Sequence, residues 1–169
     1  MSYTYSMRNQ QTKIIFLCHG NICRSTMAEG IAKELFEREN LQDQVAEEYG
    51  EVVFSSRAVS REALGDPPYP LTIKELEKQG FKPQKYLADK VASFLRPEDQ
   101  ADNCYLFYMD ERNRLNLERY HNLKPTVHCE QLLEHEIDDP WYTRDFTTCF
   151  TDIERGVRHI FDRLKNGTL

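Results

Sequence analysis

The sequence predicts an α/β fold of one domain, a three-layer sandwich in which helices cover both faces of a four-stranded parallel sheet. Two observations support this prediction. Short apolar runs alternate along the chain with longer amphipathic segments, and such alternation is typical of a parallel sheet between helices. The run Cys104–Met109 is nearly all apolar, which indicates a strand that is buried on both faces. The 169 residues have the length of one domain with one substantial core.

The strands are predicted from short runs of bulky apolar residues. In chain order they cover residues 14–17, 51–56, 104–109 and 126–129. A Gly-Asp-Pro-Pro turn excludes the segment 57–70 from a strand interior, so we predict a loop there. The segment 41–50 is polar, and we predict an irregular surface connection. The segment 130–146 is predicted to form a long loop.

The helices are predicted from apolar residues that are spaced three and four apart, together with start and stop signals. They cover residues 24–40, 71–79, 86–95, 111–120 and 148–164. Gly80 ends the second helix, and Pro97 ends the third. The side chain of Asp110 can accept a hydrogen bond from a free backbone N–H, so we expect it to cap the helix that begins at residue 111.

A short polar loop, Cys18–Ser25, joins the first strand to the first helix. A loop in this position presents several backbone N–H groups at the N-terminus of a helix. That arrangement binds anions before any side chain is considered. Gly20 and Asn21 are residue types that tolerate the left-handed backbone that such a loop needs.

The side chains at the ends of this loop add reactivity. Positive potential from the helix end and from Arg24 favours a thiolate at Cys18. Arg24 offers a planar fork of donors that matches two oxygens of a phosphate, and Ser25 can donate a hydrogen bond to the sulfur. These residue types predict a site that binds an oxyanion and attacks its central atom.

The ends of the predicted strands place this loop in the fold. Ligands of open parallel sheets bind beyond the carboxyl ends of the strands. Cys18 lies at one such end, and Ser56, Asp110 and Cys129 lie at the others. Four loops are therefore expected to converge on one edge of the sheet.

Composition excludes several classes of function. A net charge of −6 argues against general nucleic-acid binding. No apolar run reaches the length of a membrane span. Residues 1–12 are polar and lack the apolar core of a secretory signal, so we expect a flexible tail ahead of one domain at 13–169. These features predict no nucleic-acid or membrane partner and favour the cytoplasm.

The five cysteines do not form the even, regularly spaced set of a secreted disulfide framework. Three of them are predicted to be structural thiols; these are Cys104, Cys129 and Cys149. A zinc site built from Cys18, His19 and Cys23 is disfavoured, because no paired cysteine or histidine spacing occurs elsewhere. We therefore predict no metal site.

Four segments together resemble the low-molecular-weight protein tyrosine phosphatases. The loop reads Cys18-x-Gly-Asn-Ile-Cys-Arg-Ser, and an Asp-Asp-Pro-Trp-Tyr motif begins at Asp138. Met109–Asn113 is similar to the family's strand-to-helix junction, and 55–68 is similar to a loop beside its cleft. The resemblance extends from about residue 13 to the C-terminus. It implies a flavodoxin-like sheet in the order 2-1-3-4.

The resemblance also implies an activity: hydrolysis of phosphotyrosine in protein substrates through a cysteinyl-phosphate on Cys18, with inorganic phosphate as product and inhibitor. Asp139, directly before Pro140, matches the general acid and base of the family, and Asp138 is its rival. No cofactor is needed, since Arg24 and the loop N–H groups supply the positive charge. The other residues of the implied phosphate-binding loop are His19, Gly20, Asn21, Ile22, Cys23 and Ser25.

The implied walls of the substrate cleft are Trp141, Tyr142 and Glu62, and the sequence departs from the family at the last of these. Glu62 stands where many members have a tryptophan. Tyr69 replaces an acidic residue, and His19 occupies a variable, often apolar position. The resemblance implies that Cys23 can form a disulfide with the nucleophile and protect it from irreversible oxidation.

Three alternative functions stay open. Arsenate reductases share the fold, but they need a resolving cysteine pair in the middle of the chain, and residues 71–103 contain no cysteine. Protein-arginine phosphatases have a threonine at the position of Ile22, and the apolar Ile22 favours phosphotyrosine. The third alternative is a phosphate-binding module without catalysis, which the combination of Cys18, Arg24, Ser25 and Asp139 disfavours.

Overall fold

A computed structural model describes residues 10–169. It contains a four-stranded parallel sheet in the order β2-β1-β3-β4, which confirms the predicted fold. The strands are β1 (Gln11–Cys18), β2 (Glu51–Ala58), β3 (Cys104–Tyr108) and β4 (His128–Gln131). Because β1 begins at Gln11, the last two residues of the predicted tail belong to the sheet. Residues 1–9 of that tail lie outside the described residues.

The described part of the chain contains seven α-helices and one short 3₁₀ helix. The α-helices are α1 (Arg24–Arg38), α2 (Leu41–Tyr49), α3 (Pro70–Lys78), α4 (Pro83–Tyr86), α5 (Glu111–Tyr120), α6 (Pro140–Thr143) and α7 (Phe146–Asn166). The 3₁₀ helix covers Pro97–Gln100. None of the helices within residues 10–169 combines the length and apolar composition that a membrane span requires.

The central strand β1 separates two hydrophobic cores. Ile14 and Phe16 join the larger core, which includes side chains of α1, α2, α3 and α7. Ile15 and Leu17 point the other way into a smaller core that includes Leu117 of α5. These four side chains are fully buried, as expected for a central parallel strand. The cores hold β1 rigidly, and with it the start of the loop that follows.

Two predictions of secondary structure were wrong. Residues 41–49 form helix α2 rather than an irregular connection. The helix buries Leu41, Val45 and Tyr49, which are four residues apart and therefore share one face. The predicted helix 86–95 is also absent from this part of the chain, where α4 ends at Tyr86.

Tertiary hydrogen bonds explain why residues 87–95 are not helical. The Ala92 N–H donates to the Asp66 carbonyl (2.8 Å), the Ser93 carbonyl accepts from the Ala58 N–H (2.7 Å) and the Leu95 N–H donates to the Ala58 carbonyl (3.1 Å). The segment thus uses its backbone groups against the end of β2 and the loop beyond it. Its local pattern gave no sign of these distant partners.

The remaining differences are shifted element ends and short helices that the sequence did not predict. Strand β4 lies two residues later than predicted, and the predicted loop 130–146 contains the short helix α6. The cap at Asp110 is confirmed, because its carboxylate accepts a hydrogen bond from the Asn113 N–H (2.8 Å). That cap fixes the backbone at the carboxyl end of β3, close to the loop 18–25.

Replacing Gly156 with alanine tests the packing of α7 on the sheet. A Cβ atom at this position would lie 2.5 Å from Leu132 Cγ. Overpacking of this kind costs about 1–3 kcal/mol, whereas alanine gains only about 1 kcal/mol in helix propensity. We expect a lower urea midpoint for Gly156→Ala. In a Leu132→Ala background the same change should cost less, and an equal cost in both backgrounds would contradict the predicted clash.

Candidate active site

Cys18 lies at the floor of a cavity of about 240 Å³ beyond the carboxyl end of β1. Ten of the predicted site residues line this cavity: Cys18, His19, Gly20, Ile22, Cys23, Arg24, Glu62, Asp139, Trp141 and Tyr142. Asn21 and Ser25 are buried behind the cavity wall. Ala63 and Asp66 also line it, and sequence reasoning did not single them out, although their loop was noted.

The backbone of the loop is held in place from several sides. The Val59 N–H donates to the Cys18 carbonyl (3.0 Å), and Ser60 Oγ donates to the His19 carbonyl (2.8 Å). Asn21 adopts a φ of 60°, the left-handed conformation that the sequence predicted here. Thr26 Oγ1 donates to the Asn21 carbonyl (2.9 Å), which ties this turn to the first turn of α1.

The loop ends in the N-terminus of α1, which has no side-chain cap among the described residues. The first N–H groups of a helix have no partner within it, so those of α1 are free to meet an anion in the cavity. Cys18 already receives one backbone donor, because the Asn21 N–H lies 3.3 Å from Cys18 Sγ. Ser25 Oγ is 2.9 Å from the same sulfur.

Asn21 decides which way the Ser25 hydroxyl points. The Ser93 N–H, which can only donate, lies 3.1 Å from Asn21 Oδ1, and this contact fixes the orientation of the Asn21 amide. Asn21 Nδ2 therefore donates to Ser25 Oγ (2.8 Å) and to Ser56 Oγ (2.8 Å). Since Ser25 accepts from Asn21, its own hydrogen is available to Cys18 Sγ.

The same chain of hydrogen bonds ends at a buried carboxylate. Ser56 Oγ donates to Glu29 Oε1 (2.7 Å). Glu29 is buried and pairs with Lys33 (2.8 Å) and Lys90 (3.6 Å). Burial lowers the pKa of Lys90, although the nearby Glu29 carboxylate opposes that effect. The polar chain Glu29–Ser56–Asn21–Ser25 thus connects Cys18 to the buried ion pairs of Glu29.

Replacing Asn21 with alanine is expected to release the Ser25 hydroxyl from its donor orientation. A hydrogen bond to a charged group contributes about 1.5–3 kcal/mol, so we expect a roughly 10- to 100-fold lower kcat. Ser25→Ala should have a similar effect on kcat, because it removes the same donor. Steady-state kinetics on an aryl phosphate would measure both. A normal kcat in Asn21→Ala would contradict the inferred orientation.

Arg24 is almost completely buried and is held by three oxygens. Its Nη1 donates to Asp110 Oδ2 (2.6 Å) and to the Ile137 carbonyl (2.7 Å), and Nη2 lies 3.5 Å from Asp139 Oδ2. Burial opposes its charge, but Cys18, Asp110 and Asp139 together raise its pKa. No partner of Nε occurs within residues 10–169, and Arg24 lines the cavity, so donors remain for a bound anion.

The structure separates the two neighbouring acids of the Asp-Asp-Pro motif. Asp139 is half-buried, lines the cavity and caps α6 by accepting a hydrogen bond from the Trp141 N–H (3.0 Å). Asp138 is exposed and does not line the cavity. This geometry favours Asp139 over Asp138 as the group that meets a substrate.

Two exposed aromatic rings form the outer wall of the cavity. Trp141 and Tyr142 are 47% and 67% exposed. Tyr69 supports Trp141 by edge-to-face packing at 5.0 Å, and its hydroxyl accepts a hydrogen bond from Arg144 Nη2 (3.1 Å). The Tyr69 N–H donates to the Ile22 carbonyl (2.9 Å). Tyr69 therefore connects the loop 18–25 to the segment that contains Asp139.

His19 and Glu62, two positions where the sequence departs from the family pattern, meet each other at the rim. His19 Nε2 lies 2.8 Å from Glu62 Oε2, at ion-pair distance but without the alignment of a hydrogen bond. Both residues line the cavity. The rim opposite the aromatic wall is thus polar.

The remaining cysteines are unlike Cys18 in their surroundings. Burial and the neighbouring Cys18 raise the pKa of the Cys23 thiol to about 12. Burial also raises the pKa of Cys149, and raises that of Cys129 to about 11. All five cysteines are free. In the part of the chain that the structure describes, no three histidine, cysteine or acidic side chains are grouped to hold a metal.

Because the pKa values of the Cys23 and Cys149 thiols are raised, we expect the protein to lose stability at alkaline pH. The folded protein binds the protons of Cys23 and Cys149 more tightly than the unfolded chain, whose thiols have their ordinary pKa of 9.0. The contribution of these thiols to the free energy of unfolding is therefore fully present below about pH 9 and is lost as the pH rises toward 12. Urea unfolding in the presence of reductant should lose about 1.4 kcal/mol per thiol between pH 8 and pH 10. Cys23→Ala should show a shallower dependence, and equal slopes would contradict the assignment.

Comparisons with known proteins place the chain in a family. The family model described as "Low molecular weight phosphotyrosine protein phosphatase" matches residues 13–168. The low molecular weight protein-tyrosine-phosphatase YfkJ of Bacillus subtilis is 29% identical, with 87% of this chain and 92% of the relative covered. PtpA of Staphylococcus aureus strain MRSA252, of the same description, is 30% identical, with coverages of 88% and 91%.

Solved structures show the same likeness. The crystal structure of YfkJ from Bacillus subtilis has a TM-score of 0.81 at 26% identity, covering 96% of this chain and 99% of that one. The crystal structure of DARP, a Drosophila arginine phosphatase, has a TM-score of 0.75 at 25% identity, with coverages of 91% and 98%.

Proposed function

Because the chain belongs to the low molecular weight phosphotyrosine protein phosphatase family, we propose that it hydrolyses phosphotyrosine in proteins through a cysteinyl-phosphate on Cys18. One observation supports this most strongly. Cys18 Sγ receives donors from Asn21 and Ser25 in the same cavity that Arg24 and Asp139 line. A nucleophile, an anion clamp and a proton donor are thereby within reach of one phosphoryl group.

In the first step, the Cys18 thiolate attacks phosphorus and forms an S–P bond while the P–O bond to the tyrosine breaks. Protonated Asp139 transfers its proton to the departing phenolate oxygen. Arg24 and the N–H groups at the start of α1 donate to the three equatorial oxygens as negative charge develops on them. The Asp110 contact holds Arg24 in place for this role.

In the second step, the Asp139 carboxylate takes a proton from water, and the water oxygen forms a bond to phosphorus as the S–P bond breaks. Ser25 donates a hydrogen bond to the departing thiolate, which lowers the barrier for its release. Inorganic phosphate leaves the loop as product, and at high concentration it competes with substrate for the same donors. These steps use only protein groups and water.

The exposed rings of Trp141 and Tyr142 give the cavity a wall on which the substrate ring can pack. Ile22, which lines the cavity, adds an apolar surface. Both features favour an aryl phosphate over a small aliphatic phosphate. We propose that the substrate is a phosphotyrosine protein, and we place the reaction in the cytoplasm.

A phosphotyrosine peptide and para-nitrophenyl phosphate, assayed in the presence of EDTA, test the proposal. We expect release of phosphate from both, together with a protein that is 80 Da heavier after rapid acid quenching, because the cysteinyl-phosphate intermediate accumulates. The added mass should map to Cys18. Binding of the peptide without release of phosphate would instead favour a phosphate-binding module without catalysis.

A second candidate is hydrolysis of phosphoarginine. The structural likeness to the Drosophila arginine phosphatase is supported by the carboxylates of Glu62 and Asp66, which line the cavity and would attract a guanidinium. Ile22 and the aromatic wall favour phosphotyrosine. Relative kcat/KM values on matched phosphotyrosine and phosphoarginine peptides decide between them, and Glu62→Gln should reduce only the second activity.

Oxidation of Cys18 is expected to be reversible through Cys23. Peroxide converts the Cys18 thiolate to a sulfenic acid, and attack by Cys23 sulfur then forms a disulfide with loss of water. Mass spectrometry after mild peroxide should find a Cys18–Cys23 link. Sulfonic acid at Cys18 without this link would contradict the role of Cys23.

Arsenate reduction stays disfavoured, because residues 71–103 contain no cysteine.

A further inference from the structure

A second cavity lies beside the first and is larger, about 620 Å³. His19 and Glu62 line both cavities, so this pair forms the ridge between them. Its size is within the range of small-ligand sites in proteins. Any chain that places a phosphotyrosine over Cys18 and crosses this ridge enters the second cavity.

The walls of this second cavity, which we call the flanking groove, come from two elements. Arg112, Asn116 and Tyr120 line it from α5. They are four residues apart and therefore present one face of the helix. The opposite wall is the loop after β2, with Arg61 and Glu62, and Phe94 lies between the walls. The groove is thus bounded by rigid secondary structure on one side.

Two guanidinium groups in the groove have no carboxylate partner within residues 10–169. Arg61 lies over the Phe94 ring, 4.2 Å from its centre, and neither Arg61 nor Arg112 forms a described ion pair. The neighbouring Arg114, by contrast, pairs with both Glu111 and Glu118. Glu62, the acidic residue in the described lining, is engaged with His19. The groove is therefore locally positive in a protein of net charge −6.

We propose that the flanking groove binds an anionic side chain of the substrate, a carboxylate or a second phosphoryl group, within a few residues of the phosphotyrosine. This inference rests on the proposed function and adds sequence preference to it. Arginine suits the role because its planar donors match both kinds of anion. Phe94 and Tyr120 supply apolar surface for the rest of the bound side chain.

A peptide series tests the proposal. The series has one neutral phosphotyrosine peptide and variants with a single glutamate or a single phosphoserine at each of the three positions on either side. An exposed ion pair changes affinity about two- to fivefold, so at low salt we expect one or two positions to raise kcat/KM by up to about tenfold. Comparing the glutamate peptides with the phosphoserine peptides shows whether the groove prefers a carboxylate or a phosphoryl group. Salt at 1 M should remove the preference.

Variants assign the preference to the groove. In Arg61→Gln/Arg112→Gln, the ratio of kcat/KM for the best anionic peptide over the neutral peptide should fall to about one. The control is Lys124→Gln, an exposed lysine four residues beyond the same helix that does not line the groove; it should keep the ratio. Equal losses in the control and in the double variant would show a general field effect and overturn the proposal.

The proposed function and this inference fail separately. If the neutral peptide and para-nitrophenyl phosphate are hydrolysed but no flanking anion improves turnover, the groove proposal is wrong and the phosphatase activity stands. If nothing is hydrolysed, the affinities of the wild-type protein for the anionic and the neutral peptides are compared instead. Equal affinities for neutral and anionic peptides would then also overturn the groove proposal.

Discussion

Replacing Cys18 with serine is expected to reduce turnover by about 10⁴-fold or more. A serine hydroxyl at this position has the same hydrogen-bond partners, Asn21 N–H and Ser25 Oγ, but it is far less acidic and less nucleophilic than a thiol. The anion site itself remains, since Arg24 and the start of α1 are unchanged. Steady-state and single-turnover release of phosphate from para-nitrophenyl phosphate would measure the loss.

The control for this experiment is Cys129→Ser, which makes the same exchange in β4, away from the cavity. It should retain turnover. Binding of the phosphotyrosine peptide to Cys18→Ser, measured by calorimetry, shows whether the site is intact. Turnover by Cys18→Ser within tenfold of wild type would mean that another group attacks phosphorus, and the mechanism would have to be abandoned.

Replacing Asp139 with asparagine is expected to reduce kcat about 10²- to 10⁴-fold on phosphotyrosine peptides. Asparagine keeps the size of the side chain and can still accept the hydrogen bond that caps α6, so the fold should be preserved. It cannot transfer a proton to the leaving oxygen. A leaving group of low pKa, such as para-nitrophenol, needs less protonation, so the loss should be smaller on para-nitrophenyl phosphate.

Asp138→Asn is the matched control, one residue away on the same segment. Asp138 is exposed and outside the cavity lining, so we expect its replacement to have little effect on kcat. A larger effect at Asp138 than at Asp139 would reverse the assignment.

Local sequence was sufficient to predict features that depend on residues close together in the chain. The apolar run of β1, the left-handed Asn21 and the cap at Asp110 were all predicted from neighbouring residues, and each is present. The order of the sheet came from the family resemblance and is also confirmed. Half of the twelve residues that line the active-site cavity belong to one loop at the end of one strand.

Sequence reasoning failed where distant residues decide the structure. The segment 86–95 was predicted to be helical, but its backbone forms hydrogen bonds with β2 and with Asn21, which are distant in sequence. The role of Asp110 as a partner of Arg24 was missed for the same reason, since the two are 86 residues apart. Helix α2 was missed although its spacing of four was visible in Leu41, Val45 and Tyr49.

The hydrogen-bonded chain behind Cys18 has a consequence for how the enzyme loses activity. Ser56 lies in β2, an edge strand, and Ser93 lies in a segment without regular secondary structure. Segments with few buried apolar contacts open by local unfolding at a lower free energy than the core, and the irregular segment around Ser93 is of this kind. Opening of this corner releases Asn21 and Ser25 while the rest of the domain stays folded. We therefore expect activity to be lost on heating before the domain unfolds. Amide exchange around Ser56 and Ser93 should follow the loss of activity.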